Sequence, residues 1–238
     1  MEISAMHSGL AGTLLLLALG ATMLCLPGCG SCPTTLKKMA KTDVDMVADA
    51  HFSEVDHLLR DLTIKLYRRN PRELRKTPGA TIQSRLRQLF ESVPMPAFAE
   101  LKGRHGTTAI DLCFQPEFEG DRIFALVAGL RGMMLSAYGN RGEQFLFDSL
   151  DPQALYHSAR NLEIVVWRLS NFMNSDEEPF LYTNSLPGEE RNLSFERLFG
   201  KLIALQDMMT TIAADGHQRV INKVVQSLAS SVLLPVGL

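Results

Sequence analysis

Apolar residues alternate at spacings of four and three over five stretches of this 238-residue chain, a pattern that few architectures accept. The first is Ala48, Phe52, Val55, Leu59, Leu62 and Leu66, and the second Ile123, Val127, Leu130, Met134 and Ala137. The third is Leu155, Ala159, Leu162, Val166, Leu169 and Met173. Phe195, Leu198, Leu202, Leu205, Met209 and Ile212 form the fourth, and Ile221, Val225, Leu228 and Val232 the fifth. Such seams line one face of a helix and pack helices against each other near +20°. Ile82, Leu86, Leu89 and Val93 make a shorter candidate. Strand-like alternation is nearly absent, with Pro179-Phe180-Leu181-Tyr182-Thr183 the best extended segment. The expectation is an all-α, antiparallel multi-helix bundle with short interhelical turns.

The punctuation agrees. Asp151-Pro152 places an N-cap before a proline at the first helical position, where a missing N–H costs nothing. Asn70-Pro71-Arg72-Glu73 repeats this, with Glu73 spaced for a capping-box return. Ser194 is a candidate cap for the fourth seam, and Gly139 and Gly216 stand where a left-handed residue ends a helix. Within the second seam, Ala125, Ala128, Gly129 and Gly132 form a small-residue strip that admits a close neighbour. Arg131 in its middle excludes a membrane span.

An apolar run from Gly9 to Leu26, centred on Leu14-Leu15-Leu16-Leu17-Ala18-Leu19, closes on Leu26-Pro27-Gly28-Cys29. This resembles the lipobox of bacterial lipoproteins, whose cysteine sulfur receives a diacylglycerol before the peptide is cut just ahead of it. Leu26 and Gly28 fit the pattern; Pro27 and an n-region without Lys or Arg depart from it. The resemblance covers residues 1–32 and implies a signal peptide over 1–28 and a lipidated tether over 29–42; the apolar seams place one helical domain over 43–238. It implies acyl chains, palmitate among them, on Cys29, and two or more are needed for stable attachment. Gly30 after the cysteine implies the outer membrane, periplasmic face. The alternative is an uncleaved anchor helix, for which 18 residues is borderline. Lys37, Lys38 and Lys41 would then hold the body in the cytoplasm.

Cys25, Cys29 and Cys32 also match an iron–sulfur spacing, and Cys29-Gly30-Ser31-Cys32 a redox pair. Neither has the strand, barrel loop or helix start that such chemistry requires. Cys32 and Cys113 are left to form a disulfide, or Cys113 is a small buried hydrophobe.

Glu2 is the only charged side chain of the leader, so the rest carries 24 basic and 25 acidic groups. That balance gives nucleic-acid binding no support. A basic run, Arg68, Arg69, Arg72 and Arg75 with Lys76, Arg85 and Arg87, is a candidate surface for an anionic or protein partner. The competing account is a solvated helix end complementing the macrodipole. His51, Glu54, His57 and Asp61 do not make a metal site, because His51 and His57 lie about 240° apart on a helix. Tyr156, His157, Arg160 and Trp167 mark one further helix, with Arg160 and Glu163 spaced as an ion pair. No nucleophile elbow or phosphate loop occurs, and Gly139 to Gly142 reads as a turn.

Two long connections, from about Val93 to Phe118 and from Asn174 to Asn192, are candidate interaction surfaces. In the second, Phe180-Leu181-Tyr182 either anchors a partner or folds back on the bundle.

The resulting expectation is a non-enzymatic, lipid-anchored protein of the bacterial envelope. It serves as a tethered protein-interaction or scaffold module with an envelope protein partner, and needs neither cofactor nor metal. The alternative is a helical carrier holding a small apolar ligand or lipid among methionines such as Met133, Met134, Met208 and Met209. An envelope hydrolase comes third, motivated only by scattered His and acidic residues.

Overall fold

The computed structural model of the chain describes residues 43–93, 95–140, 150–186 and 188–232, with side chains described within 45–216. It is all-α. In order come α1 (Asp43–Arg69), α2 (Pro71–Arg75), α3 (Ile82–Phe90), a 3-10 turn (Ala99–Leu101), α4 (Gly106–Leu112), α5 (Arg122–Ala137), α6 (Pro152–Asn171) and α7 (Ser194–Val232). Among the described residues the only sheet-type pairing is an isolated bridge between Met173 and Pro179. The extended candidate at 179–183 is therefore not a strand.

Four long helices make an up-down-up-down bundle in which each packs on two neighbours. Cross-helix contacts set the directions. From one end of the α1–α5 pair to the other, the Phe52 and Tyr138 rings lie 5.2 Å apart, Arg131 bonds Asp56, and Tyr67 bonds Asp121. The rising number on one helix meets the falling number on the other, so the pair is antiparallel. Ser158 bonds Gln206, while Leu155 packs in one cluster with Met209 and Ala213. Lys65 reaches the Phe195 ring at one end of α7, and Ala48 and Phe52 cluster with Met209 at the other. All six seam residues of α1 are buried in the core.

The connection from Asn70 to Asp121 carries the short helices, and α3 and α4 pack on α5 from outside the four-helix layer. This explains why α5 is apolar nearly all round, the pattern of a helix enclosed on every side. Fourteen of its sixteen residues are buried. Its small strip is what lets α4 approach. A Cβ added at Gly129 would lie 2.7 Å from Gly106 O, Ile110 Cγ1 and Ile110 N. At Gly132 the nearest atom would be Gly106 N at 3.4 Å.

The two glycines should respond with opposite signs. Gly129→Ala drives a methyl into α4 backbone and should cost about 1–3 kcal/mol, more than the helix propensity it gains. Gly132→Ala meets an ordinary contact and should stabilise by about 0.5–1 kcal/mol. Urea melts of both variants check this; equal effects would show that the Gly129 contact yields freely.

Local capping follows the sequence in part. Asp151 accepts from Gln153 N at 2.9 Å and starts α6. Gly139, at φ +74°, closes α5 with Asn140 N donating to Leu135 O at 2.7 Å and Gly139 N to Ser136 O at 3.0 Å. That is the paired-bond termination that a left-handed residue permits. Three expectations are corrected. Gly216 does not end a helix: α7 runs through it and joins the fourth and fifth seams into 39 residues. A single interior Gly costs about 1 kcal/mol, too little to stop a helix that continues on both sides. Ser194 does not cap α7; Asn192 Oδ1 accepts its N–H at 3.0 Å. Glu73 does not return to Asn70, because both side chains are committed elsewhere.

Candidate functional site

The basic run and the Phe180 loop, read separately in the sequence, lie against each other. Asn70 Oδ1 accepts Tyr182 N at 2.7 Å, and its Nδ2 donates to Tyr182 O at 2.8 Å. Arg72 donates to Pro179 O and Phe180 O at 3.3 and 3.2 Å, and lies 5.2 Å from the Tyr182 ring centre. Arg69 pairs with Glu189, whose carboxyl that hydrogen bond holds below its ordinary range. Phe180 and Leu181 are buried in the core, with Tyr182 partly covered. The loop has folded back on the bundle, so an exposed Phe180-Leu181-Tyr182 anchor is not what the fold presents. Two members of the arginine set, Arg69 and Arg72, hold this loop; Arg68 and Arg75 remain exposed. Arg85, further along the run, is buried.

Arg85 belongs to a polar knot where α1, α2, α3 and α5 meet. Its Nη1 and Nη2 donate to Glu100 Oε1 and Oε2 at 2.7 and 2.9 Å. Nη2 also lies 3.3 Å from Asp121 Oδ2, and the guanidinium stacks 4.3 Å from the Phe124 ring centre. Asp121 Oδ2 accepts the Tyr67 hydroxyl at 2.7 Å, and its Oδ1 accepts Ile123 N and Phe124 N at 3.0 Å each. Glu73 Oε2 accepts Arg122 N at 2.9 Å and Lys76 Nζ at 2.8 Å. Two carboxylates thus satisfy the first N–H groups of α5, one from the cap and one from a helix 49 residues earlier. Arg122 Nη1 meanwhile donates to Cys113 O and Gln115 O at the end of α4 at 2.7 and 2.8 Å.

Burial sets the electrostatics of the knot. It raises the Asp121 carboxyl above its ordinary value against the Phe124 N–H, Tyr67 and Arg85, which lower it. Burial likewise raises the Tyr67 hydroxyl, helped by the neighbouring Asp121 charge. For Arg85 burial works downward, but the Glu100 hydrogen bond and the Asp121 charge outweigh it and the guanidinium is held up. These bonds make this a structural joint, with Arg85 Nε left without a partner among the described residues. Sequence reasoning passed over Asp121, though it stands before an apolar run just as Asp151 does.

The open site is a groove of about 650 Å³ between the start of α4, the second half of α5 and the start of α6. Met95, Met133, Leu135 and Ala137 form its apolar walls, and His105, Thr107, Thr108, Ser136, Asn140 and His157 its exposed rim. Met133 is fixed by an Asn161 Nδ2 contact at 3.4 Å from its sulfur. A second hollow of about 280 Å³ shares Met95, His105 and Gly132 with it and adds Pro96, Phe98, Leu101 and Ala128.

The remaining candidates are dispersed. His57 and Asp61 are 3.9 Å apart on an exposed face, whereas His51 is buried, so the helical spacing separates them as anticipated. Burial lowers the His51 imidazole, against a hydrogen bond to the Leu205 backbone that raises it. Arg160 pairs with Glu163 at 3.0 Å and with Asp207 at 2.8 Å, and Trp167 is exposed. No helix among the described residues is long and apolar enough to cross a membrane. Cys25, Cys29 and Cys32, with residues 1–42 as a whole, lie outside the described residues.

Cys113 is a free, fully buried thiol, and burial pushes it well above the usual thiol range against the lowering effect of Arg122. It should resist iodoacetamide in the native protein and react once the chain is unfolded. Peptide mass mapping distinguishes it from the N-terminal cysteines; equal labelling in both states would show that this part of the core opens readily.

No family model matches the chain, and no curated protein or solved structure matches it either.

Proposed function

We propose that the chain is a lipid-anchored, non-catalytic helical protein of the bacterial envelope that acts as a tethered protein-interaction or scaffold module. The observation that carries this is the apolar run closing on Leu26-Pro27-Gly28-Cys29, ahead of a helical body that begins at Asp43. Acyl chains on Cys29 would hold the bundle on a short leash at the outer membrane, periplasmic face. Tethering raises the local concentration of a weak binding surface without a new contact. The α4–α5–α6 groove supports the interaction half of the reading, being open and presenting both apolar walls and a hydrogen-bonding rim.

Intact mass with membrane fractionation, on wild type and Cys29→Ala, tests the anchor. The expected result is loss of residues 1–28 plus the mass of acyl chains, with release or altered processing in the variant. An unmodified full-length chain in both would overturn it and favour an anchor helix or a body that is not exported.

A second reading, a carrier for a small apolar ligand, is favoured by the Met95, Phe98 and Leu101 hollow. Native mass spectrometry of protein extracted from membranes would support it by a co-purifying lipid. Loss of that species in Ala128→Phe, which fills the hollow, would place it there.

A further inference from the structure

We propose that the groove between α4, α5 and α6 binds an extended, uncharged polypeptide segment bearing small or apolar side chains. This deepens the interaction-module reading and rests on it. The first argument is charge. Among the described residues, none of the fifteen that line the groove is Asp, Glu, Lys or Arg, in a chain that is 21% charged. Another hollow, near the start of α7, is lined by Arg69, Glu189, Glu190, Arg191 and Arg197. A charged ligand entering the α4–α5–α6 groove would lose hydration and meet no Lys, Arg, Asp or Glu among its described lining residues, which is costly.

The second argument is hydrogen-bonding capacity. An extended peptide presents one donor and one acceptor per residue, none satisfied internally. The rim answers with hydroxyls at Thr107, Thr108 and Ser136, amides at Asn140 and Asn161, and the His157 imidazole. Thr107, Ser136 and Asn140 each offer both a donor and an acceptor site, while Thr108, His157 and Asn161 spend part of their capacity on His105, Gln153 and Met133 and offer the remainder. The third is shape. Met95 and Met133 form walls that adapt to different side chains, and the adjoining hollow of Phe98, Leu101 and Ala128 receives an apolar one. A volume of about 650 Å³ lies inside the range usual for ligand sites, about 300–1,000 Å³. Among the described residues no Phe, Tyr or Trp lines the larger groove to stack on a sugar ring, which favours peptide over glycan.

The test uses full-length protein in detergent and three probe sets. One is a library of acetylated, amidated nine-residue peptides built from Ala, Val, Leu, Met, Ser and Thr. Another is the same library with Asp or Lys at alternate positions, and the third is an array of neutral oligosaccharides. Wild type should retain members of the uncharged library, with the charged counterparts weaker by about tenfold or more. Ser136→Arg places a guanidinium on the exposed rim and should weaken that binding by about tenfold, with circular dichroism and thermal midpoint unchanged. Gly132→Met, which fills the shared hollow, should weaken that binding to a similar degree, whatever shift in thermal midpoint the lost glycine brings.

Failure to retain any uncharged peptide, equal binding of charged ones, or indifference to both substitutions would overturn the proposal. Oligosaccharide binding blocked by the same variants would overturn it in favour of a glycan site. Failure here is distinguishable from failure of the anchor: a chain that is acylated and binds no peptide loses only this inference.

Discussion

Asp121→Ala should cost the protein about 3–5 kcal/mol of unfolding free energy. The change removes the side chain that accepts the Ile123 and Phe124 N–H groups of α5, the partner of the Tyr67 hydroxyl and one of two carboxylates facing Arg85. Loss of an N-cap alone is worth about 1 kcal/mol. The remainder comes from leaving a buried hydroxyl and a partly uncompensated guanidinium without water to replace the lost acceptor. Asp151→Ala is the control, since it removes an exposed cap of the same type from α6 and should cost only about 1 kcal/mol. Urea denaturation of the pair separates the two contributions. Similar losses would show that Asp121 is only a cap and that the knot contributes nothing.

The same residue has a pH signature. Because burial raises the folded-state value of Asp121, there is an interval between the unfolded and folded values in which the native state binds more proton at this site than the unfolded chain. The site's stabilising contribution is fully present below the unfolded value and declines as pH rises through the folded one. Asp121→Asn does not titrate at this position. The stability difference between wild type and Asp121→Asn should therefore shift against wild type as pH rises from acid towards neutral. A shift in its favour would mean that Arg85 and the α5 N–H groups dominate burial.

Asp56→Ala should be comparably damaging, and more so than loss of its partner. Arg131 donates from Nε and Nη2 to the two Asp56 oxygens at 2.9 and 3.1 Å and from Nη1 to Ser92 O at 3.1 Å. The arginine is 1% exposed and the aspartate 18%. Removing Asp56 strands a buried guanidinium and should cost about 3–5 kcal/mol. Arg131→Met leaves a carboxylate that water can reach, at smaller cost, and puts an apolar chain beside the Phe90 ring over which the guanidinium lies. The double variant Asp56→Leu with Arg131→Met should recover most of the loss, since an apolar replacement of such a pair is often neutral or better. A double-mutant cycle by urea melts checks the order; equal costs for the two single variants would show that Arg131 finds another acceptor.

Both sites show how a bundle with apolar seams is made specific. The seams of α1, α5, α6 and α7 would tolerate sliding by a turn. The Asp56–Arg131 and Tyr67–Asp121 bonds pin α1 to α5 at two heights, and Ser158–Gln206 pins α6 to α7. The Asn174 to Asn192 connection is fastened separately, through Asn70, Arg69 and Arg72. Charges that read in sequence as a cationic surface thus divide into a buried strut at Arg85 and loop fasteners at Arg69 and Arg72, with Arg68, Arg75 and Arg87 left on the outside.

The sequence by itself determined the helices. Their apolar period, the Asp-Pro start of α6, the Asn-Pro start of α2 and the Gly139 stop all act through contacts within a few residues. Such signals survive in one dimension, because a helix closes its bonds four residues away. The exposed rim and walls of the α4–α5–α6 groove come from three helices and the strand of chain at Met95, so no stretch of sequence displays them. Tertiary structure alone decided that Glu73 caps α5 rather than α2, that Arg85 and Arg131 are interior, that Phe180 and Leu181 face the core, and that α7 continues through Gly216. Each depends on a partner tens of residues away, or on whether a neighbouring helix compensates a local cost, and burial is what gives those distant pairings their strength. The lipobox resemblance stands apart from both, since Cys29 lies outside the described residues and its acylation awaits the mass measurement.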